Sequence, residues 1–286
     1  MTAEEAMEPE TTPSAFAREQ ATYLDEAAAI IAAAESKGIE LRLLGAIAVI
    51  KHCPGFIWLH EATHRELTDI DFAAYSREQR EVNELLTGLG YASKGGGGRG
   101  VTMEVWTGRE IYVDPHGQRH SVDVFYDKLD FCHPVEFKGR LALDSPTIPL
   151  ADIVLEKLQI VEVNEKDLKD LMILFLEHPV ATGAAAGQEE IDGDYIAKRF
   201  AGDWGFYYTA NLNFDKMLAF LPRYQAFTGE HRETIAGRIA ELREAIERKP
   251  KSTGWKMRAR IGPRKKWYRD VAEEYRELHD TGLSGH

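Results

Sequence analysis

Near residue 145 the periodicity of the chain changes, and that change restricts the folds open to it. Upstream, short runs rich in β-branched and aromatic residues read as strands: "IELRLL" (39–44), "TDIDFAAY" (68–75), "VTMEVW" (101–106), "REIYV" (109–113) and "HSVDVFY" (120–126). "DPHGQ" (114–118) between the last two is a turn, so these runs predict a meander. Downstream of "DSPTIP", the stretches from "LADIVLEKLQIV" to "PRKKWYRDVAEEYRELHD" carry apolar residues at helical spacing. The prediction is an α+β chain: a mixed sheet flanked by helices over 14–145, then an all-helical domain over 146–286. With 286 residues, 44% of them hydrophobic, the chain is long enough to build two cores.

Local signals place the helices of the first half. Ser14 caps "AFAREQATYLDEAAAIIAAAESK" and Gly38 ends it. Gly45 breaks the first strand, and "AIAVIKHC" reads as helical. "SREQREVNELLTGLGY" reads as an amphipathic helix capped by Ser76. "KGGGGRG" (94–100) is a connecting loop, because it lacks the G-K-[ST] ending of a phosphate loop. "HPVATGAAAGQEEIDG" (178–193) reads as a surface loop between helices. Residues 1–13, acidic and without an apolar core, read as a disordered tail rather than a secretory signal.

Composition excludes several classes. A net charge of -12 argues against a nucleic-acid binder that relies on overall charge. The two cysteines, Cys53 and Cys132, form no C-x-x-C, so neither a disulfide framework nor a structural zinc site of that type is signalled. Reduced thiols in a cytoplasm are the expectation. No stretch reaches the ~20 apolar residues that span a bilayer.

Chemistry concentrates in "HEATHRELTDID" (60–71). Side chains at i and i+2 of a strand share a face, so Asp69 and Asp71 project together while Ile70 and Phe72 face the core. Two carboxylates that close repel unless a cation or water separates them. Magnesium takes oxygen ligands and favours one or two carboxylates plus substrate phosphates. Asp123, flanked by Val122 and Val124 on a later strand, is the candidate third ligand. On an edge strand the same D-x-D would simply be a solvated face. The first five letters also match the zinc-peptidase pattern H-E-x-x-H. Zinc would need His60 and His64 on one helical face, Glu61 near the bound water and a third ligand such as Glu84. Pro54-Gly55 before the motif and a strand from Thr68 weigh against it.

The order of these features resembles the nucleotidyltransferase superfamily, with its DNA-polymerase-beta-like fold. A strand runs into a glycine that opens a helix ("LLGAIAV"), D-x-D follows on the next strand ("RELTDIDF"), and a third acidic residue lies on a later one ("VDVFYD"). "THRELTDID" is similar to the arginine-led approach to D-I-D in bacterial abortive-infection-type members, and "PLADIVLEKLQIVEVNEKDLKDL" to their downstream segment. The likeness covers roughly residues 39–176. It implies two magnesium ions on Asp69, Asp71 and Asp123, with a nucleoside triphosphate as substrate. It implies nucleotide binding by Gly45, Ala46, Arg65, Lys157 and Asp167, while Asp170 fixes a helix or lines the cleft. Ala46 departs from the family, where many active members carry Gly or Ser and a serine hydroxyl would meet the triphosphate. Its backbone N–H at a helix start still suits phosphate. A catalytically weak, nucleotide-binding or regulatory protein of the same fold is the alternative.

Residues 249–269 hold nine basic residues and no acidic one, with Trp255, Trp267 and Tyr268 interleaved. Such a segment binds a nucleic-acid strand by phosphate contact and stacking, which would make RNA an acceptor. Equally, it covers the acidic first half of the same chain.

Overall fold

Ser14 opens the first helix as its side chain predicts, accepting a hydrogen bond from Ala17 N at 3.0 Å. The computed structural model describes residues 14–94, 108–183 and 186–271. The predicted tail at 1–13, the glycine run from residue 95, the predicted strand at 101–106 and the end of the last predicted helix lie outside these residues. Helix α1 (Ala15–Ser36) buries Ala27, Ile30, Ile31 and Ala34, one stripe at helical spacing, and Gly38 follows its end at φ +70°. Strand β1 (Arg42–Leu44) passes directly into α2 (Gly45–His52), and the short α3 (Trp58–Ala62) leads to β2 (Ile70–Ala74).

Helix α4 (Gln79–Gly88) starts later than predicted. Ser76 opens a 3-10 turn instead of capping the helix, and its N–H donates to Asp127 Oδ1 at 3.1 Å. β3 (Ala92–Ser93), β4 (Arg109–Val113) and β5 (Val122–Tyr126) complete the sheet. Its order is β1-β2-β5-β4-β3, with β2–β5 parallel and the other pairs antiparallel. Asp114 makes the turn between β4 and β5, its carboxylate accepting from His116 N and Gln118 N at 2.9 Å each. β6 (Lys128–Leu129) and β7 (Val135–Glu136) form a small hairpin beyond.

The chain then returns to the free edge of β1. Leu43 N donates to Pro146 O at 2.8 Å and Ile148 N to Leu43 O at 2.9 Å, so residues 146–148 cover the exposed edge. Next come α5 (Leu150–Leu158), α6 (Glu165–Glu177), the parallel pair β8 (Val180–Ala181) and β9 (Ile191–Asp192), α7 (Gly193–Gly202), α8 (Trp204–Phe220), α9 (Gly229–Arg248) and α10 (Thr253–Ile261). α2 packs on α5 and α6 as well as on β1 and β2, and one continuous apolar cluster runs from Ala27 to Ile246. The architecture is therefore α+β, a mixed five-stranded sheet with several helices. No helix among the described residues is long and apolar enough to cross a membrane.

Two expectations are corrected. The segment 178–193 carries β8 and β9 where only a loop was predicted; Ile191 is buried, and the Asp192 carboxylate caps α7 by accepting from Tyr195 N at 2.9 Å. Residues 265–270, predicted helical, form no helix: after a 3-10 turn at Gly262–Arg264 the chain straps across α8. Trp267 Nε1 donates to Thr209 Oγ1 at 2.9 Å, and a Cβ on Gly205 would run into the Trp267 carbonyl.

Candidate functional site

Strand register brings the three aspartates together. β2 and β5 run parallel with Asp71 opposite Asp123, and Leu44, the last residue of β1, is opposite Asp71. Asp69 immediately precedes β2, two residues from Asp71 and on the same face. One carboxylate oxygen from each of Asp69, Asp71 and Asp123 lies within 4.8 Å of the others. Ile70 and Phe72 are fully buried on the opposite face. Asp123 is 2% exposed on a central strand, and its Oδ1 has no hydrogen-bond partner among the described residues. A buried carboxylate oxygen without a partner is costly. Its Oδ2 is ion-paired with Arg109 of β4. Arg109 stands opposite Phe125, two residues along β5 from Asp123, and so shares its face.

Gly45 closes the other side. It adopts φ +71°, and a Cβ there would collide with the Asp71 carboxylate, whose own Cβ would be 3.3 Å away. Gly45→Ala therefore meets both left-handed strain and a clash. We expect a loss of at least ~1 kcal/mol in urea unfolding, together with weakened divalent-cation affinity, because Asp71 is the group that must move. Gly45 N–H donates to Glu156 Oε2 at 3.1 Å. Ala46 is half-buried in the first turn of α2.

Three of the residues expected to meet the nucleotide, Arg65, Lys157 and Asp167, are engaged in ion pairs. Arg65 is 5% exposed and grips both oxygens of Asp170, at 2.8 and 2.9 Å, while also donating to the Glu66 carbonyl. Lys157, also 5% exposed, pairs with Glu156 at 3.2 Å, Asp167 at 3.1 Å and Asp170 at 3.2 Å. Both cations are spent on a buried ion network behind the aspartates. Asp167 serves it too, and its N–H meets the Asn164 cap at 3.0 Å. Glu156, Arg109 and the bridging role of Asp170 were not foreseen. Their one sequence signal was a Glu-Lys pair inside the apolar run "LADIVLEKL".

Electrostatics divide the network in two. Burial opposes the Lys157 charge, but Glu156, Asp170 and Asp167 outweigh it and hold the ammonium well above the usual lysine range. Burial likewise opposes the Asp170 charge, but Lys157 and Arg65 prevail and lower its pKa. Asp71 goes the other way: burial, then Asp69, Glu156 and Asp123, push it well above the usual carboxylate range. Asp123 is raised by burial against the pull of Arg109. Among the described residues, six carboxylates (Asp69, Asp71, Asp123, Glu156, Asp167, Asp170) face four cations, Arg65, Arg109 and Lys157 in ion pairs and Lys94 acting on Asp123. The excess is negative and concentrated on the three aspartates, where added positive charge is stabilised.

H-E-x-x-H does not form its zinc geometry. α3 ends at Ala62, and His64 is exposed at φ +51°, off the helix. Glu84 is exposed on α4, paired with Arg80 at 2.9 Å. His60 is instead a core residue, 2% exposed with neither ring nitrogen partnered among the described residues. Burial lowers its pKa from 6.5 to about 4, and does the same to His133, which stacks on Phe206. A depressed histidine stays neutral in the native state while the unfolded chain takes up its proton. Stability should thus be full above pH ~6.5 and fall as pH drops towards about 4, by roughly 2 kcal/mol for each histidine at pH 5. Urea unfolding at pH 7.5 and 5 measures this, and His60→Leu should flatten the dependence.

In segment 249–269 the aromatic rings serve packing. Trp255 Nε1 donates to Phe200 O at 2.9 Å and its ring meets Tyr207, while Trp267 meets Tyr208. Arg269 reaches Asp130 of the first half at 2.7 Å. Lys256, Arg260, Arg264 and Lys265 remain exposed.

No protein-family model matches the chain, and no curated protein or solved structure matches it significantly.

Proposed function

We propose that the protein is a magnesium-dependent nucleotidyltransferase, moving a nucleoside monophosphate from a nucleoside triphosphate to an acceptor hydroxyl or phosphate. The observation that supports it is the convergence of Asp69, Asp71 and Asp123 within 4.8 Å, beside a helix opened by a glycine that has no room for a side chain. The donor set fits magnesium: oxygen only, with excess negative charge and a buried oxygen on Asp123 that has no partner among the described residues. Bound there, two ions would neutralise phosphate charge and orient the attacking and leaving oxygens. Asp69 and Asp71 hold that cation site from one face of β2. Asp123, its carboxylate raised by burial, is placed to accept the acceptor's proton once Arg109 yields it. The acceptor oxygen bonds to the α-phosphorus, the bond to the β-phosphate oxygen breaks, and pyrophosphate leaves. The N-terminus of α2 at Gly45-Ala46 faces the phosphates. RNA, a protein hydroxyl or a small molecule are candidate acceptors. For RNA, the exposed Lys256, Arg260, Arg264 and Lys265 offer phosphate contact, while Trp255 and Trp267 are already packed.

A second reading has its own observation. The Gly45 N–H is already engaged by Glu156, and Arg65 and Lys157 are neutralised, which removes three of the expected phosphate ligands. A protein that binds nucleotide without turnover would tolerate that loss. Pyrophosphate release and transfer of α-labelled phosphate, measured with each nucleoside triphosphate, magnesium and the three acceptor classes, separate the two. Transfer that disappears in Asp69→Asn and Asp71→Asn supports the enzyme. A thermal shift without transfer supports the binding protein, and neither signal with any nucleotide contradicts both.

A further inference from the structure

A second group of ligand-bearing side chains lies at the other end of α2. His52 closes that helix, His178 closes α6, and Glu189 stands in the turn before β9. One ligand atom from each lies within 4.8 Å of the others. Glu189 Oε2 is 3.6 Å from His178 Nδ1, and Asp144 Oδ2 is 3.7 Å from His52 Nε2 at the rim of the group. Ligands around a tetrahedral zinc with ~2.0–2.1 Å bonds are about 3.3 Å apart, so the His178–Glu189 pair is near that spacing and the other pairs, within 4.8 Å, must close further. The imidazole rings are nearly perpendicular, at 86°, with centroids 5.9 Å apart.

The surroundings are those of a metal ligand set. His178 Nε2 donates to the His52 carbonyl at 2.9 Å, the backbone contact that orients a ligating imidazole and presents its other nitrogen. The His52 ring also meets the Ile148 backbone. Two contacts must give way: Thr147 Oγ1 on His52 Nε2 at 2.7 Å and the Glu189 carbonyl on His178 Nδ1 at 3.0 Å. The Thr147 hydroxyl can turn aside, and the Glu189 carbonyl must shift with the backbone of the loop that carries it.

We propose that His52, His178 and Glu189 form a three-ligand zinc site that staples the ends of α2 and α6 to the loop before β9. Imidazole nitrogens select zinc over magnesium, which prefers oxygen. The site is independent of Asp69, Asp71 and Asp123 and of the activity proposed for them.

The test is equilibrium dialysis of the full chain against Zn²⁺ with magnesium in excess, paired with the thermal shift zinc produces. Wild type should bind one zinc per chain and melt higher with it. Glu189→Ala, at an exposed position, should fold normally in chelator yet bind zinc at least about 10-fold more weakly and lose the shift. Asp71→Asn should leave zinc binding unchanged. Wild type that retains no zinc would overturn the proposal, as would zinc binding that survives Glu189→Ala and His178→Ala or disappears in Asp71→Asn.

Discussion

Asp71→Asn should raise the melting temperature measured without divalent cations and abolish the rise produced by magnesium with a nucleoside triphosphate. The two effects have one cause. Burial and the neighbouring Asp69, Glu156 and Asp123 already resist the Asp71 charge, and asparagine removes it at nearly constant shape. Relief of that repulsion should contribute ~1 kcal/mol or more. Phosphate transfer, in contrast, should fall by roughly 10²–10³-fold or more, the scale of losing one preorganised electrostatic group. A residue important only for folding would not gain stability on neutralisation, so the pair of signs separates a functional carboxylate from a structural one. Differential scanning calorimetry with and without magnesium, run beside the transfer assay, reads both.

Asp170→Ala should do the reverse. Asp170 is fully buried, holds Arg65 through both carboxylate oxygens and lies 3.2 Å from Lys157. Without it, two buried cations lose their shared counterion, although Lys157 keeps Glu156 and Asp167. Breaking a buried pair from one side costs about 3–5 kcal/mol, a large part of the 5–15 kcal/mol that holds a typical protein folded. Urea unfolding should show that drop. Arg65→Met should cost less, because Asp170 then retains Lys157. The double variant Arg65→Met with Asp170→Leu should recover much of the loss, since it leaves no stranded charge on that side.

The contrast between Asp71 and Asp170 shows what could be read from the chain. Alternation in "TDIDF" and "SVDVF" was enough to place Asp71 and Asp123 on strands with Asp69 just before the first, and Gly45 marked the turn into α2. Strand propensity and i, i+2 geometry are local, so those elements were legible. Pairing is not local. Nothing in the sequence says that β5 lies beside β2 in parallel with Asp123 opposite Asp71, yet that register makes the site. Lys157 and Asp170 look like solvated helix residues until α5 and α6 are enclosed, and only then must their charges find each other. Arg65 looked like a phosphate ligand for the same reason. Arg109 reaches Asp123 through a diagonal across two strands. "HEATH" misleads in the opposite sense, because its helix stops after Ala62 and turns His64 outward.

The decisive measurement is a titration of the full chain with Mn²⁺, followed by electron paramagnetic resonance in the presence of a non-hydrolysable nucleoside triphosphate. Wild type should bind two ions. Asp69→Asn, Asp71→Asn and Asp123→Asn should each lose tight binding, while His178→Ala keeps it. Absence of tight binding in wild type, or binding unchanged across the three aspartate variants, would contradict the assignment of these aspartates as the metal site of a nucleotide-dependent enzyme.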